Sequence, residues 1–303
     1  MSTNRVIGVD LGGTKILAGV VERDGSVLHH RETPTPLDSQ EALLDGLEAA
    51  VKDMLDDSIA AVGFGIPTRV DRETGRIVGD SVNIPLEGMS FRSVMSERLG
   101  LPVEIENDAN AATLAEHVAG VARGVSRVVM LTLGTGVGGG VIIDHRLYHG
   151  WAEFGHIVVE FDGEPCAGAC TGRGHLEAYV SGTAATKRAH EVFGEAVDAH
   201  RLVRIAEEGD KEAIEILTDI GRRLGAGIGS LINIFNPELV VIGGGFAAAG
   251  DLVLEPAREV ARREALDPAD EHVRIVRAEL GTMAGLIGAG LVAFEATGLE
   301  ATA

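Results

Sequence analysis

The sequence predicts an α/β protein of two lobes around a central cleft, each lobe built on a duplicated β-β-β-α-β unit. Three observations point there. Short β-branched runs and one amphipathic helix follow one another in that order over residues 5–66. The same order of strands and helices returns after Arg127. A glycine-rich turn heads each repeat, at Gly12-Gly13 and at Gly134–Gly140.

Residues 5–10 form the first strand, and Ile16–Val21 the second, across the Gly12-Gly13 turn. Val27–Thr33 is a third, after the Asp24-Gly25 turn, so the three read as an antiparallel meander. Ser39 is placed to cap a helix whose apolar positions, Leu43, Leu44, Leu47, Val51 and Met54, recur at helical spacing. Ala60–Ile66 is then a buried strand stopped by Pro67. Val103–Glu106 is a strand and Ala109–His117 a helix. In the second half, strands are expected at Arg127–Leu133, Gly138–Asp144 and Ile157–Phe161. Helices follow at 182–192, 198–208 and 210–235, then the strand Leu239–Ile242 and a last helix at Ala284–Ala296. This order is that of the actin-like ATPase (ribonuclease H-like) fold. It divides the chain into an N-terminal lobe, 1–118, and a C-terminal lobe, 119–283, with the last helix, 284–303, packing back on the first. The halves share little sequence, so the alternative is a generic α/β protein with an accidental repeat of element order.

At 303 residues, 45% of them hydrophobic, the chain can bury a sizeable core. Its 26 basic and 46 acidic residues give a formal charge of −20. That charge disfavours nucleic acid and anionic membranes as partners. An anionic substrate would then need local cations, backbone N–H groups or Mg²⁺. No apolar run approaches the ~20 residues of a membrane span. The N-terminus reads straight into a strand with no signal peptide, and two cysteines in a metal-like spacing suit a cytoplasmic location.

Two glycine motifs invite misreading. Gly8-x4-Gly13-Thr14-Lys15 nearly matches a P-loop, but Thr and Lys are in the wrong order and a strand follows rather than a helix. Gly134-x-Gly136-x-x-Gly139 matches a dinucleotide fingerprint and is also followed by a strand. A better reading makes each a turn whose N–H groups reach phosphate oxygens without a Cβ in the way, at Gly12, Gly13, Gly134, Gly136 and Gly138. Thr14 and Thr135 add hydroxyls, Lys15 a charge, and Asp10 a carboxylate for hydrated Mg²⁺. Either loop alone could be a simple tight hairpin. Gly243-Gly244-Gly245, after a buried strand, allows close approach of a flat group such as adenine, or is only a strand-to-helix turn.

Asn107-Asp108 stands where a strand ends and a helix begins. Strand ends facing a cleft are where α/β enzymes place their chemistry. Asn107 could orient a hydroxyl and Asp108 take its proton; equally, Asp108 could cap the helix. Asn83 could face the same cleft or be an exposed turn residue.

Both cysteines lie in one stretch, bracketed by histidines: nine residues separate His156 from Cys166, three separate Cys166 from Cys170, and four separate Cys170 from His175. Thiolates and imidazoles in close pairs are how one loop wraps a structural zinc. The bland alternative is two buried thiols and two ordinary histidines.

With these segments in view, the chain resembles the ROK family (repressors, open reading frames, kinases), and within it the bacterial ATP-dependent glucokinases. The resemblance runs over nearly the whole chain. It is carried by Asp10-Leu-Gly-Gly-Thr-Lys15, Gly65-Ile-Pro67, Asn83-Ile-Pro85, Glu106-Asn-Asp-Ala-Asn110, Leu131-Thr-Leu-Gly-Thr-Gly-Val-Gly-Gly-Gly140, Glu153-Phe-Gly-His156, Gly174-His-Leu-Glu177 and Gly243-Gly-Gly245. It implies ATP phosphates on the two glycine loops, Asp108 as general base, and sugar hydroxyls on Asn107, Glu153, His156 and Glu177. His156 would then give one ring nitrogen to the sugar and the other to zinc. The implied reaction moves the ATP γ-phosphoryl group to the 6-hydroxyl of glucose. Mannose, fructose, N-acetylmannosamine or N-acetylglucosamine as acceptor, and polyphosphate as donor, are the alternatives, and a homodimer is implied by the family. A sugar-sensing regulator without catalysis is a further alternative, although such regulators carry a helix-turn-helix ahead of the first strand. A non-enzymatic or ATPase member of the wider actin-like group would have no use for Glu153, His156 and Glu177. Two departures stand out. The family's zinc motif, Cys-x-Cys-Gly-x-x-Gly-Cys-x-Glu, is altered to Cys166-x3-Cys170 with His175 in the last position, and Thr68 stands where Gly is common.

Overall fold

The computed structural model describes residues 5–79, 84–168 and 170–298, so Asn83 lies outside the described residues. The chain forms two compact units. The first comprises residues up to Gly124, His145–Trp151 and the segment from Thr282 on; the second comprises Val125–Asp144 and Ala152–Gly281. The division therefore falls a few residues beyond 118, and a short segment of the second half belongs to the first unit.

In the first unit the strands are β1 (Arg5–Leu11), β2 (Lys15–Val21) and β3 (Val27–Pro34), followed by helix α1 (Gln40–Lys52) and β4 (Ile59–Ile66). A small hairpin, β5 (Arg69–Asp71) and β6 (Arg76–Val78), precedes α2 (Phe91–Leu99), β7 (Val103–Asn107) and α3 (Asp108–Val118). The sheet order is β3-β2-β1-β4-β7. β1 and β2, and β2 and β3, are antiparallel, while β1, β4 and β7 run parallel. Helix α1 starts where Ser39 accepts the Ala42 N–H at 3.1 Å, a cap worth about 1 kcal/mol. Its Leu43, Leu44, Leu47 and Val51 enter the core, each such burial contributing roughly 1.5–3 kcal/mol.

The second unit holds β8 (Val128–Leu133) and β9 (Val137–Ile143), after which β10 (Arg146–Leu147) lies in the segment assigned to the first unit. Helices α4 (Glu177–Val180), α5 (Gly182–Phe193), α6 (Ala199–Glu207) and α7 (Lys211–Phe235) lead to β11 (Leu239–Gly243). Then come α8 (Asp251–Glu264), α9 (Ala269–His272) and β12 (Arg274–Arg277). β9 is antiparallel to β8, and β8, β11 and β12 are parallel. This repeats the pattern β2-β1-β4-β7. Each unit has its own apolar core.

Helix α10 (Ala284–Ala296) belongs to the first unit. It approaches backbone to backbone: a Cβ on Gly63 of β4 would sit 1.8 Å from the Ala289 carbonyl, and one on Gly288 the same distance from the Ala111 carbonyl. Only glycine fits at either place.

One expected strand is absent. Residues 157–161 form irregular chain, not a third strand of the second sheet. The Val159 and Glu160 N–H groups both donate to the Gly174 carbonyl instead of to a sheet neighbour, and Phe161 is 95% exposed. The apolar run belongs to the Cys/His loop. No helix among the described residues is long and apolar enough to cross a membrane.

Candidate active site and metal cluster

In the first unit the β1–β2 turn closes with the Gly12 N–H donating to the Lys15 carbonyl at 2.9 Å. The Thr35 hydroxyl donates to the Gly12 carbonyl at 2.7 Å, which ties the end of β3 to the turn. Gly13 is half-buried, and Thr14 and Lys15 are exposed. The Lys15 ammonium is paired with Glu32 at 2.7 Å. Asp10, on β1, faces the first turn of α10, where a Cβ at Gly285 would meet its carboxylate at 2.5 Å. Burial pushes the Asp10 carboxyl up to about 6, with the Lys15 charge pulling the other way.

At the β7–α3 corner both Asn107 and Asp108 meet the start of the helix. Asn107 is the cap: its Oδ1 accepts the N–H groups of Ala109 at 2.9 Å and Asn110 at 3.2 Å. Its amide Nδ2 donates to the Thr68 carbonyl at 3.3 Å. Asp108 is the first helical residue, and its Oδ1 accepts the Ala109 N–H at 2.8 Å. Directly beneath lies Glu106, 2% exposed. Its carboxylate accepts from the Asn107 N–H at 2.9 Å and the Asn110 amide at 3.0 Å, and meets His149 Nδ1 at 2.8 Å and Arg72 at 3.4 Å. Burial alone would raise the Glu106 carboxyl; His149, Arg72, Asn110 and the Asn107 N–H together hold it below the usual carboxylate range. Sequence reading missed this network because Arg72, Glu106 and His149 are far apart in the chain. The one available signal was an acidic residue directly ahead of Asn107-Asp108.

In the second unit the β8–β9 turn closes with the Gly134 N–H on the Gly136 carbonyl at 2.9 Å. The start of α5 clamps it: the Gly182 N–H donates to the Gly134 carbonyl at 2.8 Å and the Thr183 hydroxyl to the Thr135 carbonyl at 2.7 Å. The Val137 N–H donates to the Glu177 carboxylate at 2.8 Å. That carboxylate lies where a side chain at Gly136 would be, 2.4 Å from a built Cβ. Gly138 continues into β9. Gly243 ends β11, and Gly244 has φ of 84° with a Cβ position 2.3 Å from the Leu133 carbonyl, so glycine is required there by packing. Gly245 has open space around its Cβ position.

His156, Cys166, Cys170 and His175 offer ligand atoms that all lie within 4.8 Å of one another. His156 Nδ1 is 3.2 Å from His175 Nδ1 and 3.7 Å from Cys166 Sγ, and His175 Nδ1 is 3.6 Å from Cys170 Sγ. Zinc holds nitrogen at about 2.0–2.1 Å and sulfur at about 2.3 Å, so a tetrahedron around it has edges of about 3.3 to 3.7 Å. The donor set and its spacing fit that ion. Burial pushes the Cys166 thiol up to about 11, reinforced by Cys170 beside it, so a metal would have to displace a proton there. The loop is pinned by the Cys166 N–H on the Gly172 carbonyl, and by Gly174, whose φ of 70° and tight approach to the Glu160 carbonyl admit no side chain. Glu153 is exposed and precedes the single 3₁₀ turn Phe154–His156.

The two sheets with matching strand order, each headed by a glycine hairpin, define the actin-like ATPase fold. The ROK family pattern matches residues 6–296, and the chain belongs to that family. It is 36% identical to a glucokinase of Streptomyces coelicolor, over 95% of this chain and 97% of that one. It is 31% identical to an N-acetyl-D-glucosamine kinase of Escherichia coli, over 94% of this chain and 98% of that one. Among solved structures, a ROK family glucokinase from Streptomyces griseus, in complex with glucose and AMPPNP, superposes with a TM-score of 0.84 at 35% identity. That match covers 96% of this chain and 99% of the other. Its relatives thus include sugar kinases named for more than one acceptor, and a putative xylose repressor of Caldicellulosiruptor sp. is 30% identical over 93% of this chain and 76% of that one.

Proposed function

We propose that the protein is an ATP-dependent hexokinase that phosphorylates the 6-hydroxyl of glucose, with Asp108 as general base. The observation that carries this reading is the division of labour at the β7–α3 corner. Asn107 caps α3 by accepting the N–H groups of both Ala109 and Asn110, and Asp108 only shares that of Ala109, so the cap stands without Asp108. Asp108 takes the proton from the sugar hydroxyl as its oxygen attacks the γ-phosphorus; the bond to the β-phosphate oxygen breaks and ADP leaves. Asn107, Glu153, Glu177 and the Nε2 of His156 position the sugar. The Gly12 and Gly134 N–H groups close the two turns; the N–H groups of Gly13 and Gly136, with the hydroxyls of Thr14 and Thr135, hold the phosphates, and Lys15 would have to exchange Glu32 for a phosphate to join them. Gly243, Gly244 and Gly245 flank the base. Mg²⁺ that arrives with ATP supplies charge neutralisation, and Asp10 is the residue that would hold it through water. Zinc would be held by His156 and His175 through Nδ1 and by the sulfurs of Cys166 and Cys170, and would supply a structural cross-link. It takes no part in the chemistry. Two carboxylates contributed by the sugar-binding set make an acidic site, so lobe-specific cation and N–H donors must supply the attraction for ATP in a chain of net charge −20.

The test is ADP release measured over a panel of glucose, mannose, fructose, N-acetylmannosamine and N-acetylglucosamine, repeated with polyphosphate as donor. Glucose with ATP should give the highest kcat/KM; sugar-independent ADP release, or none, overturns the proposal. In Asp108→Asn, turnover should fall about 10²- to 10⁴-fold while calorimetry still detects sugar binding. Near-normal turnover in that variant would remove Asp108 from the base role.

A further inference from the structure

We propose that Trp151, the sole tryptophan of the chain, is a wall against which the acceptor sugar stacks, a specificity determinant that rests on the sugar-kinase reading above. A large indole left 51% exposed is by itself an ordinary surface feature. This one is anchored on both sides to the corner that carries Asp108. The Arg69 guanidinium lies over its ring, 5.3 Å from the centroid. Arg69 follows Thr68, whose carbonyl accepts from Asn107. On the other side, the carbonyl of Gly150 accepts from the Asn110 amide at 3.1 Å, and His149 is bound to the buried Glu106 at 2.8 Å. A Cβ at Gly150 would collide with the Tyr148 ring at 2.0 Å, so the peptide between the two aromatics is close-packed as well. Asn107 and Asn110 span the first turn of α3, with Asp108 between them.

The backbone leading into Trp151 is therefore fixed on the corner, and the ring carries the Arg69 guanidinium over it while staying half exposed. Its face is electron-rich, and the C–H groups of a pyranose carry slight positive charge, so the two pack favourably while the hydroxyls turn to polar partners. Fixing the ring in advance lowers the cost of ordering it when the sugar arrives. Arg69 acts through the ring and is a positioning residue.

Steady-state kinetics of Trp151→Ala, Trp151→Phe and Arg69→Gln test this, with thermal melts to check folding. Trp151→Ala should raise the acceptor KM about 5- to 10-fold, with kcat and the KM for MgATP within about 2-fold of wild type. Trp151→Phe should recover most of that loss, and Arg69→Gln should show a smaller rise of about 2- to 3-fold. Because no other tryptophan is present, the emission of the wild type and of Asp108→Asn should change saturably with sugar in the absence of ATP. An unchanged acceptor KM in folded Trp151→Ala overturns the proposal. So does a change of oligomeric state in that variant without a change of KM, which would make the ring a contact between copies. If the wild type phosphorylates no sugar, the functional reading fails on its own, and the fluorescence titration still decides whether a sugar reaches Trp151.

Discussion

The two glycine hairpins occupy matching positions in their units and are built differently. The turn between β1 and β2 carries its own charges. Asp10 sits at its base with a carboxyl pushed up to about 6, and Lys15 leaves it for Glu32. The turn between β8 and β9 has no charge of its own. It is held from outside by Gly182 and Thr183 of α5 and by a carboxylate borrowed from Glu177. The first turn therefore handles charge and the second is a backbone scaffold. Glu177 lies two residues beyond the candidate zinc ligand His175, so the Cys/His loop is tied directly to the β8–β9 turn.

The largest expected effect comes from the charged turn. Asp10→Asn should lower kcat/KM by about 10²-fold or more if this carboxylate holds the hydrated Mg²⁺. The same change should stabilise the nucleotide-free protein. A carboxyl whose folded pKa exceeds its unfolded value of 3.8 costs nothing below pH 4, and its burial penalty develops as pH rises to about 6. Urea melts should then show Asp10→Asn more stable by up to about 3 kcal/mol at pH 8 and level with wild type near pH 4. No gain at pH 8 would place Asp10 in a wetter setting. Next comes metal removal. A strong chelator should lower Tm by roughly 5 °C or more and raise KM for both sugar and ATP by roughly 10-fold. A rise in the sugar KM alone would uncouple Glu177 from the scaffold turn. The smallest effects compare the turns directly. Gly136→Ala displaces Glu177 from the Val137 N–H and should cost about 1–3 kcal/mol. In Gly12→Ala the new Cβ meets only the Lys15 carbonyl, at 3.1 Å, so denaturant melts should show less than about 1 kcal/mol. Equal losses would erase the distinction.

What could be read from the sequence were features set by local chemistry. The paired hairpins and their glycines, the helix capped by Ser39 and the Cys/His spacing each depend on residues close together in the chain. The run Ile157–Phe161 misled because a short run of β-branched and aromatic residues predicts a strand wherever it occurs. Here the Val159 and Glu160 N–H groups are bonded to the Gly174 carbonyl, so the segment belongs to the Cys/His loop and not to the sheet. Helices α2 and α8 were not assigned at all. The support beneath Asp108 was equally hidden, since nothing near Glu106 in sequence announces Arg72 or His149 as its partners.

Helix α10 sets the order in which the chain can mature on the ribosome. The floor of the first sheet is closed by residues 284–296, through contacts at Gly63 and Gly288 that no other side chain could replace. Every element of the second unit is synthesised before that helix emerges. The face of β1 and β4 that α10 covers therefore stays open until residues 284–296 have been made.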